Sequence, residues 1–157
     1  MLKITPYLWF DNQAEEAVHF YTSIFKNSKI GNVTYYQEGA PLPAGTVLTA
    51  SFELEGQEFV ALNGGPIFKF TEAISFFVSC ETQEEVDELW DKLSDGGEIQ
   101  MCGWLKDKFG LSWQIIPNAL MELMSDPDAE KAGRVMQAML QMKKIEIAEL
   151  RRAYEGK

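Results

Sequence analysis

The order strand, helix, strand, strand, strand is written twice along this chain, and no other feature restricts its fold so tightly. The first copy opens at Ile4–Phe10, a run of aromatic and β-branched residues that predicts a strand. Asp11 or Asn12 offers an N-cap for an amphipathic helix over Gln13–Phe25. In it Ala14, Ala17, Val18, Tyr21 and Phe25 fall near the spacing of one helix face. Asn27-Ser28-Lys29 breaks the pattern, and Gly31–Gln37 is strand-like. Gly39–Gly45, with two prolines, is a loop. Thr46–Leu54 alternates, Glu55-Gly56 turns the chain, and Gln57–Asn63 returns as the second arm of a hairpin. Asn63-Gly64-Gly65-Pro66 closes this copy.

The second copy begins with a strand at Ala73–Cys80. Thr82 with Glu85 three residues on makes a capping box, and Val86, Leu89, Trp90 and Leu93 form the apolar stripe of the helix it starts. Gly96-Gly97 stops that helix, and Glu98–Cys102, Trp104–Lys108 and Leu111–Ile116 read as three strands. Neither copy closes a core alone. The expected fold is α+β: two βαβββ modules, about 1–66 and 67–117, forming a curved eight-stranded mixed sheet around a cup. A helix packs behind each half. Residues 118–157 are expected to form a helical tail: Pro117–Met124, then Asp128–Met142 after the Ser125-Asp126-Pro127 cap, then Ile147–Tyr154. Val135, Met136, Met139, Leu140 and Met142 form a stripe suited to a core or a dimer interface.

A net charge of −10 repels phosphate backbones and anionic lipid, so neither nucleic acid nor a membrane surface is an expected partner. The one basic cluster, Lys143-Lys144 with Arg151-Arg152, reads as a solvated helix face. Cys80 and Cys102 fall in no paired-spacing motif, as free thiols in a reducing cytoplasm would. The N-terminal residues show no charged stretch leading into an apolar one, and no apolar run approaches ~18 residues. A cytoplasmic location is expected.

Several stretches together carry a resemblance: Ile4–Asp11, Ala14-Glu15-Glu16-Ala17 with Phe20-Tyr21, Ala61–Pro66, Ala73-Ile74-Ser75-Phe76, and Cys102–Pro117, with Asp126–Tyr154 also fitting. With the doubled strand order they resemble the vicinal oxygen chelate superfamily of glyoxalase I, bleomycin-resistance proteins and extradiol dioxygenases. Within it the chain looks like the PhnB-like group often labelled 3-demethylubiquinone-9 3-methyltransferase. The resemblance implies a homodimer, in some members with exchanged half-domains. It also implies a divalent metal held by His, Gln or Glu from the first and last strands of each half. Carried over, those positions fall on Thr5 (or Pro6 with a one-residue slip), on Ala61 or Asn63, on Ser75 and on Gln114. Of these only Gln114 is a plausible ligand. His19, the single histidine, belongs to the first helix. No metal or other cofactor is therefore expected; the alternative is a metal-dependent lyase, isomerase or dioxygenase with ligands elsewhere. Methyl transfer is not expected either. The only glycine cluster after a strand, Gly64-Gly65, runs into Pro66 and not into a helix that would receive a methyl donor.

The faces assigned in this way line the cup with Thr5, Tyr7, Trp9, Asn63, Ser75, Phe77, Ser112 and Gln114, with Trp104 also directed inward. An aromatic wall carrying a few amides and hydroxyls is the chemistry of a small-molecule pocket. Tyr7 and Trp9 can stack on a ring, and Asn63 and Gln114 can hold its polar groups. Such residues can also simply fill a core. No catalytic residue is assigned: Cys102 lacks a nearby histidine, and Lys106-Asp107 reads as a solvated turn pair. The expected activity is metal-free binding of a small, partly aromatic molecule, with a sequestering resistance-type protein and an assembly protein as further alternatives.

Overall fold

The computed structural model describes residues 3–157, in two compact units that divide between Phe70 and Thr71. In the first, β1 (Tyr7–Phe10), α1 (Ala14–Ile24), β2 (Ser28–Tyr35), β3 (Val47–Leu54) and β4 (Gln57–Asn63) follow one another, and the strands pair in the order β1-β4-β3-β2. β1 runs parallel to β4, with Leu8 beside Ala61 and Phe10 beside Asn63. It starts later than Ile4 because Pro6 has no N–H to give a ladder; the Pro6 carbonyl instead accepts from Val60 N–H at 3.0 Å. One face of the sheet carries α1, whose Ala14, Ala17, Val18, Tyr21 and Ile24 are buried. Tyr21 stacks on Phe52, and Phe52 on Phe59, at centroid separations of 6.0 and 5.3 Å. Each such ring, fully removed from water, is worth roughly 1.5–3 kcal/mol. α1 ends before Asn27 as expected, but β2 starts at Ser28 and not at Gly31, and it bulges between Ile30 and Val33. A Cβ at Gly31 would stand 2.3 Å from Ser51 Oγ, so the hydroxyl that accepts from Asn32 N–H at 2.8 Å would have to swing away.

The second unit repeats the order with β5 (Ser75–Cys80), α2 (Gln83–Ser94), β6 (Glu98–Ile99), β7 (Trp104–Lys106) and β8 (Ser112–Pro117), paired β5-β8-β7-β6. β5 and β8 are parallel. Thr82 caps α2 as expected, accepting from Glu85 N–H at 3.1 Å. Val86, Leu89, Trp90 and Leu93 are the buried stripe of α2, which packs on β8 and β7. The eight expected strands are thus present and hydrogen-bond as two open mixed sheets of four, each with one parallel pair between its first and last strands, and not as one continuous sheet.

The C-terminal helices belong to the second unit: α3 (Asn118–Met124), α4 (Ala129–Leu140) and α5 (Ile147–Glu155). Ile116, Leu120, Val135, Ile145 and Leu150 form their core, with Met139, Met142 and Tyr154 packed against it. Met136 and Leu140 of the same stripe are exposed. Between α4 and α5 the chain is strapped down. Met142 and Lys143 carbonyls accept from the N–H groups of Cys102 and Gly103 at 2.7 and 2.8 Å. Gln83 donates to the Ile145 carbonyl at 3.0 Å and accepts from Ile147 N–H at 2.7 Å. The basic cluster is not simply a solvated face: Lys144 pairs with Asp87 at 2.9 Å and with Glu146 at 3.7 Å, and Arg152 pairs with Glu149.

Candidate functional site

One face of each sheet carries α1 or α2, and alternation decides which side chains reach the other, which is exposed at Tyr7 and Phe77 and closed at Val60 and Ser112. In the first unit it carries Tyr7 and Trp9 of β1, Val60 and Leu62 of β4, Thr49 and Ser51 of β3, and Thr34 of β2, by register. Thr5 precedes β1 and is half-buried. Tyr7 is 62% exposed. Trp9 is held firmly: its indole N–H donates to the Gly65 carbonyl at 2.9 Å, and Phe68 meets its ring edge-on at 4.8 Å. Gly64 lies so close beneath the indole that a Cβ would come within 2.3 Å of it. The glycine cluster is therefore the seat of Trp9. Thr34 and Thr49 share a hydroxyl contact at 2.6 Å. In the sequence, the alternation of Thr49 with Ala50 and of Ser51 with Phe52 is the signal that marks the β3 hydroxyls.

Asn63 is a correction. It was expected beside Tyr7 and Trp9, but its register with Phe10 puts it on the helix side, 2% exposed. Its Oδ1 accepts from Ala14 N–H at 2.9 Å and its Nδ2 donates to the Val47 carbonyl at 3.0 Å. It thereby does the work expected of Asp11 or Asn12, since no side chain next to α1 caps it.

In the second unit five expected residues do share the open face. Ser75 pairs with Ser112 and Phe77 with Gln114 across β5 and β8. Trp104 pairs with Gln114 and Lys106 with Ser112 across β7 and β8. The face is thus two rows: Ser75, Ser112, Lys106 and, by register, Glu98; then Phe77, Gln114 and Trp104. Gln114 donates to Ser75 Oγ at 2.9 Å. Phe77 is 49% exposed, whereas Ser112 is fully buried. Lys106 reaches Glu72 at 3.0 Å, and that hydrogen bond holds the Glu72 carboxyl below its ordinary pKa. Ile116 continues the line of Ser112 and Gln114 but is covered by the C-terminal helices. One further correction concerns Asp107, which is 2% exposed and no solvated turn residue. It accepts from the backbone N–H of Phe109 and Leu111 at 2.9 and 3.0 Å and from the Trp113 indole at 2.9 Å. It organises the hairpin on the helix side.

Burial pushes the Cys80 thiol up to about 12, with Glu85 adding to the shift. A shallow groove between α4 and α5 is lined by Gly133, Arg134, Ala153 and Gly156. Arg134 there spends its guanidinium on the Ala153 and Tyr154 carbonyls at 2.8 and 2.7 Å, closing the end of α5.

The residues at the metal positions do not fit a divalent cation. Ala61 has no donor atom, Asn63 is committed to Ala14 and Val47, and Ser75 already receives the Gln114 amide. One amide oxygen and neutral hydroxyls are a poor replacement for the carboxylates and imidazoles that hold such ions. Among the described residues no three His, Cys, Asp or Glu side chains converge on one point.

Paired βαβββ units, each with a helix behind a four-stranded mixed sheet, define the vicinal oxygen chelate class of fold. Within that class the chain belongs to the PhnB-like family described as 3-demethylubiquinone-9 3-methyltransferase, which matches residues 2–116. A PhnB protein from Bacillus cereus is 43% identical, with a TM-score of 0.68 over 74% of this chain and 99% of that one. Two others share the fold alone. A Pseudomonas aeruginosa protein, PA1353, is 21% identical with a TM-score of 0.62, covering 74% of this chain and 98% of its own. The fosfomycin resistance protein FosX of Listeria monocytogenes is 16% identical with a TM-score of 0.54, covering 78% and 97%. No curated protein matches the chain. The C-terminal helices lie beyond the residues that the family matches. No helix among the described residues is long and apolar enough to cross a membrane.

Proposed function

We propose that this PhnB-like protein binds a small molecule with an aromatic ring, without a metal, on the open face of its second sheet. Ser75, Phe77, Trp104, Ser112 and Gln114 are the residues proposed to line it. The observation that carries this reading is the Gln114–Ser75 hydrogen bond, set between Phe77 and Trp104. An amide between two aromatic side chains is the pattern of a small-molecule face, where rings supply contact area and a few polar atoms fix orientation. A face meant only to fill a core would not leave Phe77 half exposed.

The test is a titration with catechol and para-hydroxybenzamide, followed by the NMR signals of the Gln114 side-chain amide and the Trp104 indole, with and without EDTA. Both signals should move, equally in the two conditions, and Gln114→Leu should abolish the shift of the Trp104 indole. No movement in either signal refutes the reading, and a response that EDTA removes restores the metal.

We read the methyltransferase description as a family name, because Gly64 and Gly65 serve to seat Trp9. S-adenosylmethionine titrated into the protein should release no heat of binding; saturable binding would return methyl transfer to the candidates. A cytoplasmic homodimer is the proposed assembly, by likeness to the superfamily, and sedimentation equilibrium measures it.

A further inference from the structure

We propose that the ligand's polar group is a neutral carbonyl oxygen and that Ser112 is the residue that receives it. This rests on the reading of the second sheet's open face as a binding face. Ser112 is fully buried, and its hydroxyl has no hydrogen-bond partner among the described residues. A buried hydroxyl without a partner costs stability, and nearly all such groups in folded proteins are satisfied. The hydroxyl stands in the middle of the polar row, with Ser75 on one side and Lys106 on the other. Neither meets it. Ser75 is engaged by Gln114, and Lys106 by Glu72.

The charges of the row decide the kind of oxygen. Lys106 is its one cation, and two carboxylates face that cation: Glu72 by ion pair and Glu98 by register. A ligand carboxylate would meet a surplus negative charge, whereas a neutral oxygen meets a free hydroxyl. Phe77 and Trp104 flank Gln114 one row along the strands, about 6.6 Å away at two residues of strand rise. A ring laid against them directs a substituent to Ser112.

The experiment compares para-hydroxybenzamide with para-hydroxybenzoate, which match in shape and differ in charge, on the full chain at neutral pH. The benzamide should bind roughly threefold to fivefold more tightly, the scale of one weakly screened charge contact. Ser112→Ala should weaken the benzamide about threefold to tenfold, the loss of one hydrogen bond. It should also raise Tm, because it removes a buried hydroxyl that the free protein leaves unpaired. A fall in Tm means that the hydroxyl has a partner in the native state and overturns the inference. So does tighter binding of the benzoate. If the benzamide binds and Gln114→Leu abolishes that binding while Ser112→Ala leaves it unchanged, the inference fails and the binding face stands. If neither probe binds, the binding face fails and takes the inference with it.

Discussion

Asn63 Oδ1 accepts the backbone N–H of Ala14 at 2.9 Å, so that the last residue of a strand caps the helix that precedes it in the chain. The same amide donates to the Val47 carbonyl at 3.0 Å and so joins β3, β4 and α1 at one point. Both groups it satisfies are buried with it. Asn63→Ala leaves two backbone groups without partners, at roughly 1–3 kcal/mol each. We expect a loss of about 2–4 kcal/mol in denaturant unfolding, with the second sheet's open face unaltered by NMR. A loss below about 1 kcal/mol would mean that water replaces the amide.

Gly64→Ala should unseat Trp9. The added methyl would stand 2.3–2.5 Å from three indole atoms, and the indole is tied to Gly65 by its N–H. Overpacking of this kind costs about 1–3 kcal/mol. The indole N–H resonance of Trp9 should shift or broaden. An unchanged resonance at unchanged stability would show that the loop yields freely.

Asp107→Asn should damage the β7–β8 hairpin more than its near-identical shape suggests. The carboxylate accepts three N–H groups, two at Oδ1 and the Trp113 indole at Oδ2. An amide offers one accepting oxygen and points N–H at N–H on the other side. We expect a loss of about 2–4 kcal/mol and a displaced Trp113 indole signal. A variant as stable as the parent would show that the indole does not depend on the carboxylate.

The Asp126–Tyr154 contact sets a pH dependence in the C-terminal helices. Tyr154 donates its phenol to Asp126 Oδ2 at 2.5 Å. That bond lowers the Asp126 pKa and raises the Tyr154 pKa, with the Asp128 backbone N–H adding to the first shift. A lowered carboxyl contributes stability above its unfolded pKa, about 3.9, and loses it as pH falls through the folded value. A raised phenol contributes below its unfolded pKa, about 10, and loses it as pH rises through the folded value. The Tm difference between the parent and Tyr154→Phe should therefore be largest near neutrality and shrink at both ends. A difference independent of pH would assign it to packing alone.

Much of this architecture was legible in the residues. The two copies of strand and helix order, the capping box at Thr82–Glu85 and the apolar stripe of α2 depend on spacing within a few residues, and each lies where spacing placed it. Gln57–Asn63 is a strand with the bounds that its alternation predicts. Alternation also put Ser75, Phe77, Ser112 and Gln114 on one face, because each pair lies within a single strand and period two holds there without further information.

What spacing could not supply is which residue of one strand stands beside which residue of another. Asn63 was assigned to the wrong face because its neighbour Phe10 is decided by a parallel register across the whole of α1, β2 and β3. Spacing shows Asp107 only as a turn position, because its partners are the Trp113 indole and two backbone groups aimed by the folded hairpin. The glycines before Pro66 marked a close backbone approach, and only the folded chain shows that the approaching group is Trp9. By itself, then, the sequence determined the elements, their repeat and the two-sidedness of each strand, all consequences of local geometry. The tertiary structure decided the registers and therefore where each polar side chain spends its hydrogen bonds, because those partners lie far apart in the chain and meet only when the strands pair.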